Sequence, residues 1–381
     1  MRLLAKLALI LSFFTLTAFP QGKVLDSLIS TGVQEIYRME FSSAEHTFRT
    51  IMADYPDQPV GRFYLAMVDW WKILVDLDNE SYDDVFFQKL EDVIFQCDKL
   101  LDVNENNVDA LFFKGGAIGF RGRLHAIRES WLKAVDDGRE ALPIVQKAAK
   151  LDPSNKDVTL GFGIYNYYAD VIPRDFPLVK PLMIFFPSGD KEKGIAQLEE
   201  TAKYGKYAKY EARYFLMTLF SSYERNYNKA WEYAEQLCKD FPNNPVFEKW
   251  KGRIGIQSGR REEYYAIFLS AYNKGDKDVF GYNTVKSKRE AAYYLGVYYK
   301  DGHNADSALV WLKRSEAFSL SADTKQQSGY FVNTLLYSGM MHDILGHRDE
   351  AIKYYNRVLE SREYSTAQAQ AKNYLLNPYK Y

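Results

Sequence analysis

Cysteine is almost missing from this chain: Cys97 and Cys238 are the two thiols in 381 residues. A disulfide-stapled secreted scaffold needs more of them. The expectation is therefore two small apolar core side chains, with a single long-range disulfide as the alternative. Charge of one sign is also missing, because 49 basic residues face 50 acidic ones. A dedicated nucleic-acid binder carries a clear positive excess, so no nucleic-acid partner is expected. Histidine is scarce. His46, His125, His303, His342 and His347 form no His-Glu-x-x-His zinc pattern, and they read as solvated surface residues.

Chemistry-bearing motifs are missing too. There is no Gly-x-Ser-x-Gly elbow and no Walker-type phosphate loop. Gly161-x-Gly163 continues as an aromatic helix rather than a Gly-rich turn, which reads as close helix packing. The pairs Asp136-Asp137, Glu199-Glu200 and Glu262-Glu263 are adjacent in sequence. Neighbours on a helix point about 100° apart, so these pairs do not converge on one proton. No catalytic residue, cofactor or metal is expected, and the chain reads as a non-enzyme.

Long apolar runs are limited to the N-terminus. Arg2 and Lys6 precede an uncharged run from Leu7 to Phe19, which contains Leu16-Thr17-Ala18. A membrane span needs about 20 apolar residues, so the layout predicts a secretory signal peptide over 1–18, with an uncleaved anchor as the alternative. No cysteine stands near the cleavage point, which argues against a lipoprotein. The expected location is periplasmic or secreted.

What is present is apolar and aromatic: 47% hydrophobic residues, 16% aromatic, and 30 tyrosines. The chain can build a core. It also repeats itself. Asp54-Tyr55-Pro56-Asp57-Gln58-Pro59-Val60 and Asp240-Phe241-Pro242-Asn243-Asn244-Pro245-Val246 are nearly one phrase, and Leu151-Asp152-Pro153-Ser154-Asn155 is a looser copy. Each stops one helix and starts another. Ala44, Ala141 and Ala230 each precede a stop proline by twelve residues, and Gly32, Gly296 and Gly339 each precede an alanine by twelve. Small residues at these points let two antiparallel helices approach. Phe48, Val145, Leu312 and Tyr355 follow the alanines by four, and they are expected to fill the space between neighbouring hairpins.

These offsets resemble the 34-residue tetratricopeptide repeat, most strongly in Gly339-Met340-Met341-His342-Asp343-Ile344-Leu345-Gly346 followed by Ala351-Ile352-Lys353-Tyr354-Tyr355. Repeats are placed near 25–58, 211–244, 245–278, 289–322 and 332–365. The weakest is 245–278, with Tyr264 where alanine is usual. From Asn107 to Pro153 a long first helix is expected, with extra residues ahead of the Ala141 helix. From Ser154 to Tyr210 the prolines at 173, 177, 181 and 187 predict an insertion folded over the repeats. Gly161-Phe162-Gly163-Ile164-Tyr165-Asn166-Tyr167-Tyr168 and Gly189-Asp190-Lys191-Glu192-Lys193-Gly194 resemble the tetratricopeptide-repeat 39 and inclusion-clearance family, a resemblance that implies a helical, non-enzymatic architecture.

The fold expected is all-α, a right-handed superhelical solenoid of such hairpins with an irregular Pro-rich insertion in the middle. It is divided into 1–18, 19–210 and 211–381. A solenoid of this kind presents a groove lined by first helices. The repeat register places Glu290, Tyr293, Val297, Lys300, Asn333, Leu336, Met340 and Asp343 on it. Tyr293 and Val297 stand where carboxylate-clamping members carry Lys and Asn, so capture of a C-terminal peptide is not expected. Some groove positions could instead pack on the helix near Ala367 to Leu376. The function expected is a protein–protein interaction scaffold of the bacterial envelope. The alternative is a secreted glycan- or polymer-binding module using tyrosines from doublets such as Tyr264-Tyr265 and Tyr293-Tyr294. The apolar stretch 176–187 is either a buried plug or a contact with a partner or membrane surface.

Overall fold

The computed structural model describes residues 21–175, 180–183 and 187–381. The expected signal peptide and the apolar run at 176–179 and 184–186 lie outside them. Among the described residues every regular element is a helix. The chain forms two compact units: one takes the chain up to Ile73 and Leu77–Lys209, the other takes Leu74–Asp76 and Tyr210–Tyr381.

The first unit contains α1 (Gln21–Tyr37), α2 (Phe41–Asp54), α3 (Val60–Val75, its last two residues grouped with the second unit), α4 (Asp83–Val103), α5 (Val108–Ile127), α6 (Trp131–Leu151), α7 (Val158–Asp175), the single turn α8 (Lys180–Met183) and α9 (Lys191–Tyr204). The second contains α10 (Lys209–Ser222), α11 (Tyr227–Asp240), α12 (Pro245–Gln257), α13 (Arg261–Asp276), α14 (Val285–Asp301), α15 (Ala305–Ala322), α16 (Gly329–Ile344), α17 (Arg348–Glu360) and α18 (Ala367–Leu376). Helix starts follow the punctuation. Asn244 accepts from Val246 N at 3.0 Å and Phe247 N at 3.2 Å with Pro245 in the first turn. Asn107, Asp190, Asn226 and Asn304 each accept from a backbone N–H three residues on.

Four hairpins close through one recurring contact. A Cβ placed on Gly32 would stand 2.5 Å from Phe48 Cζ, on Gly252 2.7 Å from Phe268 Cζ, on Gly296 2.8 Å from Leu312 Cδ2, and on Gly339 2.6 Å from Tyr355 Cε1. In each case a large side chain sixteen residues on seats against the glycine of its own hairpin. It also reaches the next element, as expected: Phe48 stacks on Tyr64 of α3 at 5.4 Å, and Tyr355 lies 5.6 Å from Tyr374 of α18. Ala44, Ala308 and Ala351, fully buried, lie one turn before it on the same helix face. These are helical hairpins of the tetratricopeptide type. In α12–α13 Tyr264 takes the place of the alanine, and Gly255 opposite it makes the room: a Cβ there would be 3.1 Å from Tyr264 Cβ.

Two sequence expectations fail in the middle. The extra length between Asn107 and Pro153 is shared by both helices, 20 residues in α5 and 21 in α6, and Gly115 meets Val145 at 2.6 Å from its would-be Cβ. The stretch 154–210 is not simply an insertion laid over repeats. α7 and α9 are themselves a hairpin with its turn lengthened. Leu198 seats on Gly163 at 2.7 Å, and Gly194 stands where alanine stands elsewhere.

Candidate functional site

The groove positions separate into three environments. The first is an ion pair with a buried carboxylate. Glu290 on α14 is 5% exposed and accepts from Arg253 Nε at 2.5 Å and Nη2 at 2.8 Å on α12. A bidentate pair of this kind fixes the two first helices relative to each other. Tyr293 is also buried, edge-on to Tyr330 at 5.1 Å and near-parallel to Tyr337 at 6.1 Å. Burial, reinforced by the neighbouring Tyr337, pushes its hydroxyl pKa well above the usual value.

The second environment is the joint with α18. Leu336 and Met340 are buried in one core with Val332, Met341, Ala367 and Ala371. The Asp343 carboxylate has no exposed surface. It accepts from Arg348 Nη1 at 2.9 Å, Tyr355 Oη at 2.8 Å and Tyr379 N at 2.8 Å. Arg348 Nη2 turns the other way, to the carbonyls of Tyr374 at 2.8 Å and Leu375 at 2.7 Å, and so closes the end of α18. Leu336, Met340 and Asp343 are therefore interior residues here, corrected from groove lining, because α18 covers the last hairpin.

The third environment is open. Val297, Lys300 and Asn333 are half-buried. Lys300 pairs with Asp301 and sits 4.9 Å over the Tyr337 ring. Trp250, Tyr294 and Tyr330 are also half-buried, with Tyr294 and Tyr330 edge-on at 6.0 Å and Arg289 over Tyr330 at 5.0 Å. Trp250 and Tyr330 carry no mark in the repeat pattern, and the sequence alone did not single them out.

The tyrosine doublets divide between core and half-buried positions. Tyr264 and Tyr355 are buried; Tyr265 stacks on Tyr298 at 4.3 Å and shares a 3.1 Å hydrogen bond with Tyr299. Other hydroxyls of the doublets donate to carboxylates: Tyr298 to Glu262 at 3.1 Å, Tyr354 to Glu316 at 3.5 Å and Tyr355 to Asp343 at 2.8 Å.

The histidines are not all solvated. His125 Nδ1 lies 2.7 Å from Asp137 Oδ2, its ring stacked on Phe87 at 4.8 Å. Arg121 joins Asp137 to Glu91 and Glu140, so the cluster ties α4, α5 and α6 together. His342 is half-buried, 5.4 Å from Tyr354 and 5.9 Å from His347. Burial, then the nearby His347, lowers its pKa, while Glu350 and Asp343 oppose this. The folded chain therefore binds this proton less readily than the unfolded chain. Stability is present above the ordinary histidine range and is lost as pH falls through and below it. The expected result is a melting temperature that drops between about pH 7.5 and pH 5.5, and drops less in His342→Gln; an identical pH profile in the variant contradicts this.

Cys97 and Cys238 are free thiols, and burial pushes both pKa values up to about 12, so neither is a ready nucleophile. Among the described residues, no group of three or more His, Cys, Asp or Glu could hold a metal, and no helix is long and apolar enough to cross a membrane. A cavity of about 520 Å³ is lined by Trp231, Glu232, Glu235, Lys251, Arg260, Glu263 and Ile267. Lys251 and Arg260 already cover the indole at 4.8 and 4.6 Å.

No protein-family model matches the chain, and no curated protein matches it. It is similar to several solved structures. One is PilW, described as a widely conserved type IV pilus biogenesis factor, at 13% identity and a TM-score of 0.43, covering 68% of this chain and 98% of that one. Another is the C-terminal part of a TPR repeat-containing protein from Cytophaga hutchinsonii, at 15% identity and TM-score 0.38, covering 81% and 99%. A tetratricopeptide repeat protein from Parabacteroides merdae gives 13% identity and TM-score 0.31, covering 83% and 99%.

Proposed function

We propose that this protein is a non-enzymatic interaction scaffold of the bacterial cell envelope, exported by its N-terminal signal peptide, that takes a protein partner along the first-helix face of its second unit. The observation that carries this reading is the open part of that face. Trp250, Tyr294, Val297, Lys300, Tyr330 and Asn333 stay half-buried on α12, α14 and α16, with α12 and α14 tied by the Arg253–Glu290 pair. Amphipathic rings backed by a rigid layer suit a protein interface. The glycan-binding alternative is weaker, since tyrosines such as Tyr265 and Tyr299 spend their hydroxyls on each other.

The test is retention of envelope proteins by the purified chain beside Val297→Glu, a change at a half-buried position of α14. The expected result is a discrete protein bound about tenfold less by the variant, a difference of about 1.4 kcal/mol. No protein partner, with retention on a polysaccharide column instead, overturns the reading in favour of the glycan module.

A further inference from the structure

After α18 the chain turns back onto the last hairpins of the second unit. Asn377 takes an extended conformation. The Tyr379 N–H donates to Asp343 Oδ2 on α16 at 2.8 Å. Its ring packs on the core shared by α15 to α18, edge-on to Tyr374 at 5.3 Å. The Tyr381 ring lies 3.9 Å from the ring of His303, in the turn after α14, with its hydroxyl 3.9 Å from Met341 Sδ. Residues 379–381 therefore bridge α16 and the end of α14, two first helices. Burial raises the Tyr381 hydroxyl pKa, Tyr379 adds to the rise, and the charge of Lys300 opposes it. Lys300 is one of the open positions of the first-helix face, so the segment borders that opening.

The hold on this segment is light. α18 is fastened ahead of it, by Arg348 to the carbonyls of Tyr374 and Leu375, and lifting the chain from Asn377 onward leaves those bonds in place. Asn377, Pro378 and Lys380 are exposed, and Tyr381 keeps 49% of its surface in water. Residues two apart in an extended chain point the same way. Tyr379 and Tyr381 thus face the protein together, 6.1 Å apart, while Lys380 faces water.

We propose that residues 377–381 are a built-in occupant of the first-helix face, displaced when a protein partner docks an extended segment with aromatic residues at i and i+2. The inference rests on the reading of that face as the partner surface, and it names the partner's chemistry. Two rings take the places of Tyr379 and Tyr381, a backbone N–H replaces that of Tyr379 at Asp343, and the residue between them is solvated. The chain's own segment competes at the high local concentration of a tethered ligand, and so sets a threshold for binding.

The test uses fluorescence anisotropy with a labelled peptide Asn-Pro-Tyr-Lys-Tyr, blocked at both ends, and the same peptide with serine for both tyrosines. The full chain should bind the tyrosine peptide weakly. Tyr379→Ser/Tyr381→Ser in the chain should bind it about tenfold tighter, because the competent fraction rises. Tyr381→Ser alone removes the half-exposed ring and leaves Tyr379 on the core. It should show a smaller gain at the parent melting temperature, so that general loosening does not pass for release. Adding His303→Asn to the double variant should weaken the peptide about tenfold, because asparagine keeps the left-handed turn at this position without the ring. No gain in either serine variant, equal binding of the serine peptide, or indifference to His303→Asn overturns the proposal. The assay needs no natural partner. Its failure, with an envelope protein still lost in Val297→Glu, strikes this inference alone; a peptide gain with no envelope partner strikes the scaffold reading instead.

Discussion

Replacing Gly194 with alanine is expected to dismantle the α7–α9 hairpin. The added Cβ would stand 2.5 Å from Tyr167 N and 2.8 Å from Gly163 O. Both neighbours are backbone of the facing helix, so no side-chain rotation relieves the clash and the helices must move apart. Leu198 would then lose its seat on Gly163. Overpacking a core typically costs 1–3 kcal/mol; with backbone on both sides the loss should be about 3 kcal/mol or more. Hydrogen exchange in α7 and α9 should rise while α12–α17 stay protected. Gly119→Ala is the control. Gly119 is also inside a helix, but a Cβ there meets nothing within 4 Å, so the better helix former should stabilise by about 0.5–1 kcal/mol. Equal melting shifts of the same sign in the two variants would contradict this account of α7–α9.

Asp343→Ala is expected to be the other severe change, and it separates two views of the same residue. As a groove residue, Asp343 would alter binding and leave stability alone. As the buried carboxylate that receives Arg348, Tyr355 and the backbone of Tyr379, its removal strands a guanidinium and two further donors. Breaking a buried pair in this way costs about 3–5 kcal/mol, here nearer about 3 because Arg348 keeps 30% of its side-chain surface in water. Residues 361–379 should become sensitive to protease first, since α18 is fastened through Arg348. A variant with parent melting and an intact C-terminal segment would return Asp343 to the surface role.

How far these features could be read from the sequence depended on whether they repeat. Gly32, Gly296 and Gly339 share one spacing to an alanine, and that alone located three hairpins and the face they bury. The α7–α9 hairpin uses the same contact, yet its Gly163 and Leu198 are 35 residues apart because the turn between them is long. A fixed-period search passes over it. The corners were equally hidden. Gly259 and Gly346 take positive φ as expected of glycine, but Met39, Glu129, Arg225 and His303 adopt the same left-handed conformation at the corresponding hairpin turns, at a cost of about 1–2 kcal/mol each. The register correctly placed Glu290 and Tyr293 on first helices. It did not say that Arg253 would pair with the buried Glu290 carboxylate, or that α18 would cover Leu336 and Met340, because both depend on neighbours far away in sequence.

The central claim is that the α1–α2, α12–α13, α14–α15 and α16–α17 hairpins are each closed by a glycine and the large side chain that seats on it. A double-mutant cycle on α12–α13 tests this directly: Gly252→Ala, Phe268→Leu, and the two together. Each single change should destabilise, one by crowding the Phe268 ring and the other by leaving a void. In the double variant the smaller side chain makes room for the new methyl group, so the loss should be clearly less than the sum of the singles, with a coupling of about 1 kcal/mol or more. Strictly additive losses would mean that Gly252 and Phe268 do not form the closing contact, and the account of the hairpins would fail with it.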